Sequence, residues 1–319
     1  MRSTILALTV IAATSCSRPS EVVVLHAASL RRVLADAADE YQKANPKVRV
    51  RLEPSGSQVA IRKVTEQNMR ADIVAVADAQ LIDKMMLPAH ASWNLEFATN
   101  EVVLAYGQHS KFTDEITAQN WPEVIARPGV RLGRVNPDSA PLGYHTLFVW
   151  QLAEKSGTYG EAGKDLAARL VQAVPKEHVG ADETELLGLL ESKAIDYAFL
   201  YRSTAEDHRL KFLELPPEIN LAKPELAARY AETSTEVKMK EGTVTLKGHP
   251  ITYGVTIPTN APNAAEAERF LTFLLGSRGQ QVQRTAGFQP IARAAVSGAG
   301  TVPGPLRSVV QLAPVPPTK

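Results

Sequence analysis

Val22-Val23-Val24-Leu25-His26-Ala27-Ala28-Ser29-Leu30 passes without a break from one backbone periodicity to another. Four consecutive apolar residues describe a strand buried on both faces. From Leu30 the apolar residues Val33, Leu34, Ala37, Ala38 and Tyr41 recur on one face of a helix. Ser29 stands between the two, at the end of the strand and placed to cap the helix. A strand feeding directly into a helix is the first half of a βαβ unit, which implies a parallel sheet.

Moving outward, Val48-Arg49-Val50-Arg51-Leu52 alternates as a strand and Val59 to Met69 reads as a helix. Ile73-Val74-Ala75-Val76 is again a strand and Ala79 to Met86 a helix. The pattern changes near Phe97. Val102 to Tyr106 is a strand, followed by a polar stretch containing Trp121-Pro122. A second α/β unit follows, with strands at Val130–Val135 and Tyr197–Tyr201 and helices at Leu142–Glu154, Lys164–Ala173 and Glu185–Ser192. Ile251 to Ile257 is a strand and Ala264 to Leu275 an amphipathic helix.

This order predicts an α/β protein of two lobes, the second inserted in the first, each a mostly parallel sheet flanked by helices. Lobe I takes residues 21–98 and 258–296, and lobe II takes 99–257. Two crossing strands, near Thr99–Tyr106 and Pro250–Ile257, join them as hinges. From Ser297 to Lys319 the chain is rich in Gly, Pro, Ala and Val without periodicity, and reads as a loosely ordered tail. Ligands of such folds bind in the crevice at the carboxyl ends of the strands.

The chain has 319 residues, enough for roughly two domains of about 150. Its 35 Lys+Arg against 34 Asp+Glu leave a formal charge of +1, which argues against a nucleic-acid partner. A single cysteine excludes an internal disulfide framework and a cysteine-rich metal site. Residues 1–15 hold Arg2, an apolar run from Ile5 to Ala13 and small residues before Cys16, the order of a secretory signal. That run is too short to span a bilayer as a helix.

The small residues before Cys16 resemble a bacterial lipoprotein signal, in which the cysteine becomes the lipidated first residue of the mature chain. Ala13 departs from the larger aliphatic residue usual three positions earlier. Residues 16–20 then read as a tether, and the rest as an exported domain anchored in the periplasm or at the outer face of the cytoplasmic membrane.

Four places share one feature: each lies where a helix begins. Ser29 precedes the first helix and Ser57, in Ser55-Gly56-Ser57, the second; Pro141 suits the first turn of the third. Asp182 and Glu185 are spaced as a capping box on the fourth. Helix starts carry unsatisfied N–H groups and about half a positive charge, so several together hold an anion without Lys or Arg. Any one alone reads better as a simple cap; the four together suit a ligand equally well.

Other chemistry is thin. The seven histidines include no pair at metal-ligand spacing, and there is no phosphate loop, dinucleotide fingerprint or nucleophile elbow. A nucleophilic pairing of His26 with Ser29 is disfavoured, because a strand end and the next helix cap need not face each other. Trp93, Trp121 and Trp150 read as packing, and Arg31-Arg32 as the solvated side of the first helix.

At these residues the chain resembles the periplasmic molybdate- and tungstate-binding proteins of ABC importers, in particular the archaeal type. The likeness covers nearly all of residues 21–292. It rests on Ala27-Ala28-Ser29-Leu30, Ser55-Gly56-Ser57, Ala71-Asp72-Ile73 with Ala77-Asp78, and Asn100 through Tyr106. It continues through Asn120-Trp121, Asn136-Pro137-Asp138, Leu142-Gly143-Tyr144, Glu183 through Leu187, Asp196 through Phe199, and Tyr253 through Pro258.

The resemblance implies a two-lobed, non-catalytic receptor that closes on a tetrahedral oxyanion, works as a monomer without a cofactor, and delivers its cargo to an ABC permease. It implies Ser29, Gly56 and Ser57 as donors from the first lobe. Ala140, Leu142, Glu183, Thr184 and the Tyr201 hydroxyl close the site from the second. The archaeal type also carries two carboxylates that coordinate the metal, in Asp-Pro-x-Gly-Tyr and Tyr-Ala-Phe-Glu-Tyr motifs. Here those positions are Ala140 and Leu200, so no side chain is expected to ligate the metal. The competing readings are another small anion such as sulfate or phosphate, an organic-anion receptor, an enzyme on the same fold, and a structural lipoprotein.

Overall fold

In the computed structural model, which describes residues 19–239 and 242–311, the strands in chain order begin with β1 (Ser20–Ala27), β2 (Val48–Ser55), β3 (Ile73–Val76) and β4 (Asn94–Thr99). The middle of the chain gives β5 (Val102–Tyr106), β6 (Leu132–Val135), β7 (Val179–Gly180), β8 (Tyr197–Tyr201) and β9 (Lys211–Glu214). A hairpin of β10 (Ser234–Met239) and β11 (Gly242–Lys247) precedes β12 (Thr252–Thr256), β13 (Gln289–Ser297) and β14 (Val310–Gln311). The signal segment, Cys16 and residues 312–319 lie outside the described residues.

Two sheets, each flanked by helices, make two lobes. The larger has the order β14-β13-β4-β12-β3-β1-β2 and the smaller β7-β6-β8-β5-β9. The apolar run of β1 lies in the interior, with Val22, Val24 and Leu25 fully buried. The helix Arg31–Ala44 covers it with Val33, Leu34, Ala37, Ala38 and Tyr41, the face predicted from their spacing. Tyr41 extends that contact by donating its hydroxyl to Glu266 at 2.6 Å, on the helix Ala264–Leu275.

Each sheet is divided by strand direction. β1 runs parallel to both β2 and β3, whereas β12 is antiparallel to β3 and β4. In the smaller sheet β6 is parallel to β7 and β8, while β5 is antiparallel to β8 and β9. The sheets are therefore mixed where mostly parallel ones were expected. The antiparallel strands adjoin the passages between lobes, where the chain enters a sheet from the opposite side. The parallel halves carry the strand ends that face the other lobe.

The chain leaves the large sheet after Thr99 and joins the small one at Val102, so the first crossing falls on Asn100-Glu101. The second differs from expectation. Residues 252–256, read as a hinge strand, form β12 at the centre of the large sheet, and the crossing falls on residues 248–251.

The segment from Ser297 also departs from the loosely ordered tail expected of it. Within 297–311, Val302, Leu306 and Val310 are buried, and β14 pairs in parallel with β13. Widely spaced single apolar residues anchor this stretch, a pattern that periodicity does not register. All three tryptophans are buried in the core.

Candidate functional site

The paired register of β1 and β2 positions the first half of the candidate site. Ala27 lies opposite Ser55, so Ser29 and Ser57 each stand two residues beyond the carboxyl end of neighbouring parallel strands. Gly56 is the N-cap of the helix Ser57–Thr65, and Ser57 is its first residue. The Ser57 hydroxyl oxygen accepts from the Ala77 N–H at 3.1 Å, tying this helix start to the end of β3. Ser29 lies in the short 3-10 turn Ala28–Leu30 and does not cap the following helix, whose N-cap is Leu30. Its hydroxyl instead accepts from the Tyr253 hydroxyl at 3.2 Å.

The second half follows the same logic on the small sheet. After β6 comes Ala140, N-cap of the helix Pro141–Ser156. Pro141 has no N–H, and the Ala140 N–H donates to Asn136 at 3.3 Å, which makes Leu142 the first open donor of that helix. After β7 comes Asp182, whose carboxylate accepts from the Thr184 N–H at 2.8 Å and the Glu185 N–H at 3.3 Å. Glu185 reaches back one residue beyond the N-cap, accepting from the Ala181 N–H at 2.8 Å. The Thr184 N–H is thus already engaged, and the Glu183 N–H faces the Glu183 carboxyl, which the Ser29 N–H also approaches. Tyr201 ends β8, fully buried, its hydroxyl 2.8 Å from His145 Nδ1.

The two halves meet. The Thr184 hydroxyl accepts from Arg31 at 3.3 Å, Arg32 reaches Asp207 at 3.1 Å, and Gln58 donates to the Pro137 carbonyl at 3.0 Å. Arg31 and Arg32 therefore bridge the lobes, where the sequence suggested a merely solvated face. The first turn of that helix faces solvent and the opposite lobe at once. Ser29, Arg31, Arg32, Glu183 and Thr184 line one interlobe cleft. Gly56, Ser57, Ala140 and Leu142 lie outside the lining of that cleft; a Cβ on Gly56 would come within 3.3 Å of the Ala140 methyl across the seam. Ala140 and Leu200 are buried hydrocarbon and offer no oxygen to a ligand.

Burial sets the electrostatics. Removal from water, with the charge of Asp182 nearby, pushes the Glu183 carboxyl up to about 8, so it is protonated at neutral pH. Burial likewise raises Tyr201 and Tyr253, which remain neutral hydroxyls able to donate. His26 is fully buried against the Ala27 carbonyl and is lowered to about 4 by desolvation, which fits a neutral core residue.

Behind Tyr201 lies a polar cluster that sequence spacing did not indicate. Tyr144, from the second lobe, donates to Asp78 Oδ2 at 2.5 Å, just past the end of β3 in the first. His145 and His249 pack ring to ring beside it, with centroids 5.6 Å apart. Burial opposes ionisation of Asp78, but His249, His145 and the Tyr144 hydroxyl together hold it below the ordinary carboxylate range. Desolvation and the neighbouring His249 push His145 down to about 3. Tyr253 and Asn100, which the sequence did not single out as candidates, connect to Ser29 through hydrogen bonds, Tyr253 directly and Asn100 through Tyr253. Asn100 donates to the Ser203 hydroxyl at 2.7 Å and to the Tyr253 hydroxyl at 3.3 Å, at the first crossing.

Residues 22–289 match the model of a family described as bacterial extracellular solute-binding protein. An uncharacterized solute-binding protein of Petrotoga mobilis is 38% identical over 269 residues, covering 84% of this chain and 83% of its own. The molybdate/tungstate-binding protein WtpA of Thermococcus kodakarensis is 35% identical over 296 residues, covering 85% and 82%. Among solved structures, the periplasmic molybdate-binding protein of Azotobacter vinelandii superposes with a TM-score of 0.60 at 17% identity, over 84% of this chain and 98% of that one. That last likeness concerns the two-lobed fold alone. By family model and by sequence identity, the chain belongs to the bacterial extracellular solute-binding proteins.

Proposed function

We propose that this protein is a receptor that captures molybdate or tungstate outside the cytoplasmic membrane and hands it to an ABC permease, without catalysis. Lipidation at Cys16 would hold it at the membrane as a monomer. The carrying observation is the common position of Ser29 and Ser57, each two residues past the end of neighbouring parallel strands, with Ser29 in a cleft shared with Glu183 and Thr184 and Gly56 against the Ser139 carbonyl of the other lobe. Relatives named for molybdate and tungstate binding, at 35–36% identity over most of the chain, support the choice of ligand.

In this reading Ser29 and Ser57 present hydroxyls, and Gly56 lets the opposite backbone approach. Leu142 and Glu183 supply N–H groups at helix starts, with Ala140 and Thr184 shaping the same turns and Tyr201 donating its hydroxyl. Protonated Glu183 adds no repelling charge. With Ala140 and Leu200 in place of carboxylates, the oxyanion stays an unexpanded tetrahedron held by hydrogen bonds.

Calorimetric titration with molybdate, tungstate, sulfate and phosphate tests the proposal. Tight binding of the first two and weak binding of the others is expected. Tight sulfate or phosphate binding with no response to the heavier oxyanions would overturn it.

A further inference from the structure

Asp78, His145 and His249 come from three distant stretches of sequence and place one ligand atom each within 4.8 Å of the others. Asp78 is 2% exposed, His145 is fully buried, and the His249 side chain is 14% exposed. Both imidazoles have Nδ1 engaged. His249 Nδ1 lies 2.8 Å from the Lys247 carbonyl, which can only accept, so in the neutral ring the proton sits there and Nε2 carries the lone pair. His145 Nδ1 lies 2.8 Å from the Tyr201 hydroxyl.

Both Nε2 atoms are buried and without a hydrogen-bond partner. Leaving two such atoms unmet is unusual, because a buried polar group normally finds a partner. His249 Nε2 has Asp78 Oδ2 beside it at 3.2 Å, in ion-pair contact. That separation matches the edge of a tetrahedron around zinc, about 3.3 Å for bonds of about 2.0–2.1 Å.

We propose that Asp78, His145 and His249 form a site for a divalent transition-metal ion of the zinc type, held by two imidazole Nε2 atoms and one carboxylate oxygen. A fourth position is left to water. The donor set suits zinc, nickel or copper and not calcium or magnesium, which take oxygen ligands. The outer partners are those that orient metal ligands: Tyr144 and the Gln80 N–H on Asp78, the Lys247 carbonyl on His249, and the Tyr201 hydroxyl on His145. A proton shared between Asp78 and His249 would satisfy one Nε2 and leave that of His145 bare. Asp78 belongs to the first lobe, His145 to the second and His249 to the second crossing, so a bound ion would pin the closed form.

The test is titration of the tag-free, chelator-stripped chain with zinc alone, no oxyanion present, alongside cobalt as a spectroscopic stand-in. One zinc per chain is expected, with the strong visible bands of four-coordinate cobalt. H249Q and D78N should each lower zinc affinity tenfold or more, and zinc should raise the melting temperature of the parent chain but not of H249Q. Absence of stoichiometric binding by the parent chain would overturn the proposal. So would unchanged affinity in H249Q with an unchanged circular dichroism spectrum. Because no oxyanion takes part, either negative result leaves the oxyanion reading standing.

Discussion

A Cβ on Gly56 would stand 2.3 Å from the carbonyl oxygen of Ser139, so the two backbones touch across the seam between the lobes. Gly56 has φ −62° and ψ 146°, which any residue adopts. Closeness, and not backbone freedom, is what calls for glycine there. G56A should therefore fold: the added methyl finds its obstacle only when the lobes close. Unfolding of the free variant in urea should shift by about 1 kcal/mol or less. Oxyanion affinity by calorimetry should fall by roughly 1–3 kcal/mol, about 5- to 150-fold. An equal loss of stability in the free chain would place the clash within one lobe.

The Tyr144 hydroxyl on Asp78 is a second tie across the same seam. Y144F keeps the ring packed against His145 and Phe148 while removing one donor from a buried carboxylate. The closed form should lose roughly 1.5–3 kcal/mol, the range for a hydrogen bond to a charged group. Small-angle scattering should show a larger radius of gyration than for the parent chain, and oxyanion affinity should drop accordingly. A variant as closed and as tight as the parent would show that the bond does not govern closure.

Glu183 makes stability depend on pH in a predictable sense. Its carboxyl titrates near 8 in the folded protein against an ordinary 4.5, so between those values the folded chain holds a proton that the unfolded chain has lost. Stability from this group is complete below about 4.5 and falls as pH rises towards 8. The groups around it are Asp182, Tyr201, Tyr253 and Arg31. E183Q, neutral throughout, should lack this component. The stability difference between E183Q and the parent should widen from pH 5 to pH 8, and molybdate affinity should decline above pH 8 in the parent alone. Parallel pH profiles for the two proteins would contradict the assignment.

What was legible in the sequence follows from how each feature is encoded. β1, β3, β5 and β8 are continuous apolar runs, and the helices 31–44 and 264–275 have strong apolar faces. The helix Ser277–Thr285 was not legible because its buried residues, Gly279, Val282 and Gln283, form no apolar stripe. The hairpin β10–β11 buries Val237 and Leu246 among exposed polar residues, too sparse a pattern for period two to emerge.

The positions of Ser29 and Ser57 just past the strand ends could be read because strand-to-helix transitions are local events. The assembly of Asp78, His145 and His249 is a product of lobe closure, and no local spacing carries it. The helix-start donors were only partly legible. Capping chemistry predicted the Asp182 cap, yet the same cap engages the Thr184 N–H that the family likeness had assigned to the ligand. Arg31 and Arg32 at the cleft also revise the picture of an anion held without cations. They stand at its edge and reach across to Thr184 and Asp207.

The central claim is capture of the oxyanion by hydrogen bonds alone, with Ala140 and Leu200 where coordinating carboxylates would otherwise stand. X-ray absorption at the molybdenum edge of the molybdate complex reads the coordination directly. A spectrum of four short Mo–O bonds with the intense pre-edge feature of a tetrahedron is predicted. A six-coordinate spectrum with added, longer oxygen bonds would contradict it.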